Sequence, residues 1–202
     1  NTNSVQVDDR VIKNATGGNV GMLTMTDVIK YSLNTGVVYT LKQLGGGDIN
    51  DQAKSKLYSY FTDHFNLGSQ TGIDLYGEAK GKLFSPKEQE GNKVRYANMT
   101  FGQGMTATPI QAASALASIM NGGKYMRPSV LESIDGKPVE PQVVRDNVVS
   151  TDTEAQLKYM MSQATYLPKH DGYLIGGKTG TAQLLQPDGT YSQTRERGTA
   201  YG

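Results

Sequence analysis

The sequence predicts an α+β fold in one domain, with a mainly helical part over residues 1–170 and the edge of an antiparallel sheet over 171–202. Capped segments of helical length recur through the first 165 residues. A strand-like run over 173–183 leads to a Pro187-Asp188-Gly189 turn and a return strand from Gly198. The 24 glycines among 202 residues point to many turns and close backbone approaches.

Residues 1–23 are polar and glycine-rich and read as irregular. Thr24 or Thr26 caps a helix running to about Ser32, with Asp27 favourable in its first turn. A second helix is expected from near Asn34 to the breaker Gly45-Gly46-Gly47. Asn50 or Asp51 caps the next, where Leu57, Tyr60, Phe61, His64 and Phe65 form an amphipathic stripe closed by Asn66 and Gly68. Residues 68–107 read as a long excursion with little periodicity, the kind of segment that forms a binding surface or lid. Thr108-Pro109 opens the clearest helix, an Ala-, Leu- and Met-rich run over 110–120 that its small residues predict to be buried on most sides; Gly122 or Gly123 stops it. Short strands are expected over 130–134 and 143–149, joined through Asp135-Gly136 and Pro138. Thr151 and Glu154 have the spacing of a capping box, for a helix to about residue 165. The return strand ends in mid-element and predicts an unpaired sheet edge.

Composition narrows the function classes. A net charge of +1 with no Lys/Arg-rich run gives nucleic acid little electrostatic purchase. The absence of cysteine excludes disulfides, zinc-thiolate sites and a cysteine nucleophile. No apolar run approaches the ~18 residues of a membrane span. His64 and His170 have no ligand-spaced partners, so no metal or other cofactor is expected. The eight methionines read as core filler. Gly102-Gln103-Gly104 lacks the glycine spacing and downstream lysine of a phosphate loop and reads as a tight turn.

Two short motifs concentrate chemistry. Lys178-Thr179-Gly180-Thr181, followed by Ala182-Gln183, sets one cation, two hydroxyls and a glycine together on a strand edge, which suits a carboxylate-bearing substrate lying along the strand. Far upstream, Ser32-Leu33-Asn34 falls at a helix junction, where a bend can aim both polar side chains into one cleft. Both residue types also favour helix caps, so ending one helix and starting the next is the competing reading. Tyr96-Ala97-Asn98 is a rival triplet, set aside because Phe101-Gly102-Gln103-Gly104 follows it directly.

Ser-x-Asn followed by Lys-Thr-Gly is the order found in penicillin-recognising acyl-transferases. Residues 9–14 (DRVIKN), 21–27 (GMLTMTD), 31–36 (YSLNTG), 101–123 (FGQGMTATPIQAASALASIMNGG) and 176–183 (GGKTGTAQ) together resemble the transpeptidase domain of class B penicillin-binding proteins. The resemblance implies part of the penicillin-binding protein/serine β-lactamase-like fold. It also implies a peptidoglycan D,D-transpeptidase that cross-links stem peptides through a serine acyl-enzyme and binds β-lactams. On that pattern Ser32 relays a proton between nucleophile and leaving amine. Asn34 orients the substrate amide and the lysine beside the nucleophile. Lys178, Thr179 and Thr181 bind the terminal carboxylate, the Thr181 N–H is an oxyanion donor, and Gly180 and Gln183 border the substrate.

The family's Ser-x-x-Lys is missing, since no serine here has lysine three residues on. The chain is therefore expected to be an incomplete transpeptidase domain, inactive alone, with nucleophile and membrane anchor upstream of Asn1. The resemblance places the whole protein on the extracytoplasmic face of a bacterial cytoplasmic membrane. Its expected partners are D-Ala-D-Ala stem peptides, β-lactams and the elongation or division machinery, not nucleic acid. A non-catalytic penicillin- or stem-peptide-binding sensor module is the alternative. A β-lactamase is disfavoured because no carboxylate lies in a recognisable deacylating motif.

Overall fold

The computed structural model describes residues 3–15, 21–164, 171–173, 175–186 and 191–201. The expected turn at Pro187-Asp188-Gly189, the helix end at 165 and His170 lie outside them.

The first 23 residues are not wholly irregular. β1 (Ser4–Val7) and β2 (Arg10–Lys13) form an antiparallel hairpin with Ser4 opposite Lys13, turning through Asp8 at φ +48°. Val7 and Ile12 point inward and join Val38, Leu41, Ile49, Ala53 and Tyr96 in the main core. Alternation of buried and exposed positions holds the register, because a one-residue slip would turn both apolar side chains outward.

α1 (Met25–Lys30) starts at Thr24, whose Oγ1 accepts from the Asp27 N–H while Asp27 caps the Thr24 N–H in return. α2 (Asn34–Leu44) ends at Gly45, and α3 (Asp51–Ser59) is capped by Asn50. A five-residue π turn, Tyr60–His64, continues α3 and stacks the His64 ring on Tyr60 at 4.5 Å; His64 Nδ1 lies 2.9 Å from the Val148 carbonyl oxygen. His64 is thus a structural residue of the helix end, as the stripe implied.

The excursion over 68–107 contains one helix the sequence reading missed. α4 (Lys93–Met99) is capped by Asn92 and buries Tyr96, Ala97 and Met99. Two turns are too short for periodicity to show. Tyr96 is fully buried and its hydroxyl donates to the Phe84 carbonyl oxygen at 2.8 Å. Burial pushes its pKa far up, so the rival Tyr-x-Asn triplet is a core element and not a base.

α5 (Pro109–Met120) has the expected Thr108 cap, reciprocated by Gln111. It is not buried on most sides. Gln111, Ser114 and Ser118 are its buried residues, while Met120 is exposed. The Gln111 amide donates to the carbonyl oxygens of Ser69, at 2.5 Å, and Lys80, at 2.9 Å, so the buried face of α5 ties down the excursion by hydrogen bonds.

β3 (Tyr125–Met126) pairs with β6 (Val143–Arg145), and β4 (Ser133–Ile134) with β5 (Lys137–Pro138). The strands expected over 130–134 and 143–149 are therefore shorter and belong to two separate pairs. α6 (Thr151–Ala164) begins one residue past its cap, because Ser150 Oγ accepts from the Thr153 N–H at 3.2 Å. Glu154 is released from the expected capping box and accepts from the Gly122 N–H and Lys158 Nζ. β7 (Lys178–Leu185) and β8 (Tyr191–Tyr201) form the longest antiparallel pair, with Lys178 opposite Tyr201. Among the described residues every sheet has two strands, so β7 keeps one edge unpaired.

Candidate active site

The geometry of Ser32 comes from how α1 ends. The Leu33 N–H donates to the Val28 carbonyl oxygen at 3.0 Å and the Ser32 N–H to the Ile29 carbonyl oxygen at 3.2 Å. This is the Schellman closure, in which the residue after the cap adopts the left-handed conformation. Glycine is the usual occupant. Here Ser32 sits at φ +51°, a conformation that costs a non-glycine residue ~1–2 kcal/mol. A serine kept there exposes its hydroxyl while Leu33, the next residue, is buried as the turn's apolar anchor.

α2 starts at once, and its N-cap residue Leu33 has no side-chain oxygen to offer. Asn14, at the end of β2, substitutes from a distance. Its Oδ1 accepts from the Thr35 N–H at 3.0 Å and the Thr35 Oγ1 at 3.1 Å. In return the Asn34 side-chain amide donates to the Lys13 carbonyl oxygen at 3.0 Å. The hairpin is clasped to the helix start, and the motif's Asn34 is held half-buried beside Ser32. Asn14→Ala is expected to cost about 1 kcal/mol, as for loss of a helix cap. A thermal melt should fall by about 2–4 °C for a chain of this size. An unchanged melting temperature would mean the clasp contributes nothing.

Lys178 opens β7, and its Nζ donates to Ser32 Oγ, closing a gap of 146 positions in sequence. It also donates to the Thr179 carbonyl oxygen at 2.7 Å. Burial holds the Lys178 pKa below the ordinary lysine value. Thr179, Gly180 and Thr181 are exposed, and strand alternation puts Thr179, Thr181 and Gln183 on one face, with Lys178 and Gly180 on the other. A Cβ on Gly180 would stand 2.9 Å from Thr199 Oγ1 of β8, so the missing side chain also serves strand pairing.

The structure thus brings Ser32, Asn34 and the head of β7 into one neighbourhood, while Thr181 and Gln183 run away from it along the strand. Asn14 was absent from the sequence reading as a site-building residue. Its signal, an Asn ending the strand two residues past Ile12, is indistinguishable from any loop asparagine.

An α+β fold joining a Ser-x-Asn turn to a Lys-Thr-Gly strand defines the class of penicillin-recognising acyl-transferases. The whole of residues 1–202 matches the family model described as penicillin binding protein transpeptidase domain, and the chain belongs to that family. Similar proteins are class B members. Stage V sporulation protein D of Bacillus subtilis is 36% identical over 185 residues, covering 86% of this chain and 27% of its own length. The peptidoglycan D,D-transpeptidase FtsI of Escherichia coli is 31% identical over 176 residues, covering 84% and 27%. The crystal structure of penicillin binding protein 3 from Mycobacterium tuberculosis, complexed with aztreonam, aligns with a TM-score of 0.79 at 25% identity, over 98% of this chain and 46% of that one. The chain spans about a quarter of the length of the two curated relatives.

Proposed function

We propose that this chain is the part of a peptidoglycan D,D-transpeptidase that grips the D-alanyl end of a stem peptide, in a protein that works through a serine acyl-enzyme and is blocked by β-lactams. The observation that supports the reading is the hydrogen bond from Lys178 Nζ to Ser32 Oγ, which joins the two motifs in one site. An ammonium against a hydroxyl is an arrangement for binding a carboxylate and passing a proton.

In this reading the Lys178 ammonium receives the terminal carboxylate, and the Thr179 and Thr181 hydroxyls, on the other face of β7, border the substrate lying along the strand edge. The unpaired edge of β7 lets an extended peptide add as a strand, and the Thr181 N–H faces the developing oxyanion. The nucleophilic serine attacks the penultimate D-alanyl carbonyl, the C–N bond breaks, and Ser32 passes the proton to the departing D-Ala amine. A second stem-peptide amine then takes the acyl group and returns the proton by the same route. One N–H of the Asn34 amide donates to the Lys13 carbonyl oxygen, which leaves its other N–H and its Oδ1 to hold the substrate amide.

None of the serines among the 202 residues precedes a lysine by three, and these residues alone are inactive in this reading. The whole protein acts on the extracytoplasmic face of the membrane, with the elongation or division machinery as partner. Among the described residues no helix is long and apolar enough to cross a bilayer.

Labelling with a fluorescent penicillin tests this. The whole protein is expected to show a stable covalent band and the 202-residue chain none. A band on the chain alone overturns the assignment of the nucleophile. A whole protein that binds D-Ala-D-Ala peptide yet never labels would favour the sensor module.

A further inference from the structure

Asn121 and Gly122, at the end of α5, form the only Asn-Gly pair in the sequence. Asn-Gly is the pair in which an asparagine amide is most readily lost. Glycine has no side chain to shield its backbone nitrogen, so that nitrogen can reach the asparagine Cγ. Both residues are exposed, so water has access to the turn.

The turn is restrained at the points the reaction has to move. Rotation about the Asn121 Cα–C bond must carry the Gly122 nitrogen round to Cγ. Asn121 ends α5 with ψ at 30°, and ring closure needs a ψ far from that value. The Gly122 N–H donates to Glu154 Oε1 of α6 at 3.0 Å, which fixes this rotation. Asn121 Oδ1 accepts from the Lys124 N–H at 3.1 Å, so the side-chain carbonyl is tied as well. The Gly123 carbonyl oxygen accepts from the Val148 N–H at 2.9 Å and anchors the far side of the turn. Glu154 is itself buried and held by Lys158 Nζ at 2.5 Å. Its carboxylate acts through charge too. The attacking nitrogen must shed its proton, and negative charge developing beside a carboxylate is disfavoured.

We propose that Asn121-Gly122 is a latent self-modification site, a succinimide-forming pair, and that Glu154 is the residue that keeps it inert. When the Glu154 hydrogen bond opens, the Gly122 nitrogen bonds to Asn121 Cγ and the Cγ–Nδ2 bond breaks. Ammonia leaves with the proton lost by the Gly122 nitrogen. Water then opens the imide, leaving aspartate or isoaspartate at position 121, with no change of oxidation state. The imide nitrogen carries no hydrogen, so ring closure removes the donor that ties α5 to Glu154. α6 also packs on α1, the helix whose end carries Ser32, so the damage lies one helix away from the candidate site. The inference is independent of the reading of Lys178, because the reaction needs only this turn and water.

Ageing the full-length protein in mildly basic buffer, with peptide mass mapping to follow the amide-to-acid conversion at Asn121, tests this. A synthetic peptide spanning residues 118–125 is the unrestrained reference. The native protein is expected to convert at least about tenfold more slowly than the peptide. Glu154→Ala should convert about tenfold faster than the native protein, as for loss of a hydrogen bond to a charged group. Asn50→Ala, which removes a helix cap elsewhere, should age like the native protein. A native protein that converts as fast as the peptide overturns the restraint. Glu154→Ala converting no faster than native, or Asn50→Ala accelerating as much, overturns the role of Glu154. If Glu154→Ala does not fold, Glu154→Gln decides, because it keeps an acceptor oxygen without the charge. It should convert about threefold faster than native, and an equal rate overturns the proposal.

Discussion

Lys178→Met should lower affinity for a D-alanyl-terminated peptide by about 10- to 100-fold while leaving the melting temperature unchanged or slightly raised. The affinity loss follows from a charge-assisted hydrogen bond to a carboxylate, ~1.5–3 kcal/mol. Methionine keeps the unbranched stem, so packing survives. Stability should not suffer, because the ammonium is partly desolvated in the folded chain and its pKa is lowered for that reason. The sign follows from proton counting. Between the lowered folded value and the ordinary lysine value of 10.5, the unfolded chain binds more protons than the folded one, so this residue makes stability climb with pH across that window. Peptide binding needs the charged form and runs the other way, falling as pH rises through the lowered value, before an ordinary lysine would discharge. The difference between native and variant chains, by calorimetry and thermal melts from about pH 7 upward, isolates Lys178 from the other lysines. A variant that binds as well as the native chain, or a pH profile identical in the two, would sink the assignment of the carboxylate to this ammonium.

What could be read from the sequence divides along a physical line. Local signals survived folding. Thr24 with Asp27, Asn50, and Thr108-Pro109 with Gln111 each cap the helix expected of them, because a cap is decided within four residues. Short elements did not show themselves. The hairpin over 4–13 carries alternating Val5, Val7 and Ile12, but four-residue strands around an Asp8-Asp9 turn look like polar loop until the core supplies the other side of Val7 and Ile12. The Ala-rich α5 reads as buried on most sides, yet its enclosed residues are a glutamine and two serines. Helix composition reports propensity, and neighbours decide burial. The site divides in the same way. The motif pairs came from resemblance, and no periodicity could have joined Ser32 to Lys178. The meeting of Arg95 on α4 with Phe84 and Lys82 was invisible because it joins a two-turn helix to a loop, which no local spacing signals.

Gly36→Ala should disturb the site without touching it. Gly36 lies in the first turn of α2, where α1 crosses so closely that an added Cβ would stand 2.6 Å from Val28 Cγ2 and 2.7 Å from Val28 Cγ1. Val28 is buried and β-branched, so it cannot rotate aside cheaply, and α1 must move. Overpacking of this kind costs ~1–3 kcal/mol, against about 1 kcal/mol regained from the better helix former, for a net loss of up to about 2 kcal/mol. The functional consequence exceeds the energetic one, because the Val28 carbonyl accepts the Leu33 N–H that closes the turn holding Ser32 at positive φ. Pushing Val28 away opens that turn and withdraws the Ser32 hydroxyl from Lys178. Gly36→Ala is therefore expected to melt several degrees lower and to bind D-alanyl peptide more weakly than its stability loss alone would produce. Combining it with Val28→Ala frees the space, and the double variant should regain affinity while remaining less stable through the lost valine methyls. If Gly36→Ala melts and binds like the native chain, the close approach of α1 and α2 does not set the geometry of Ser32.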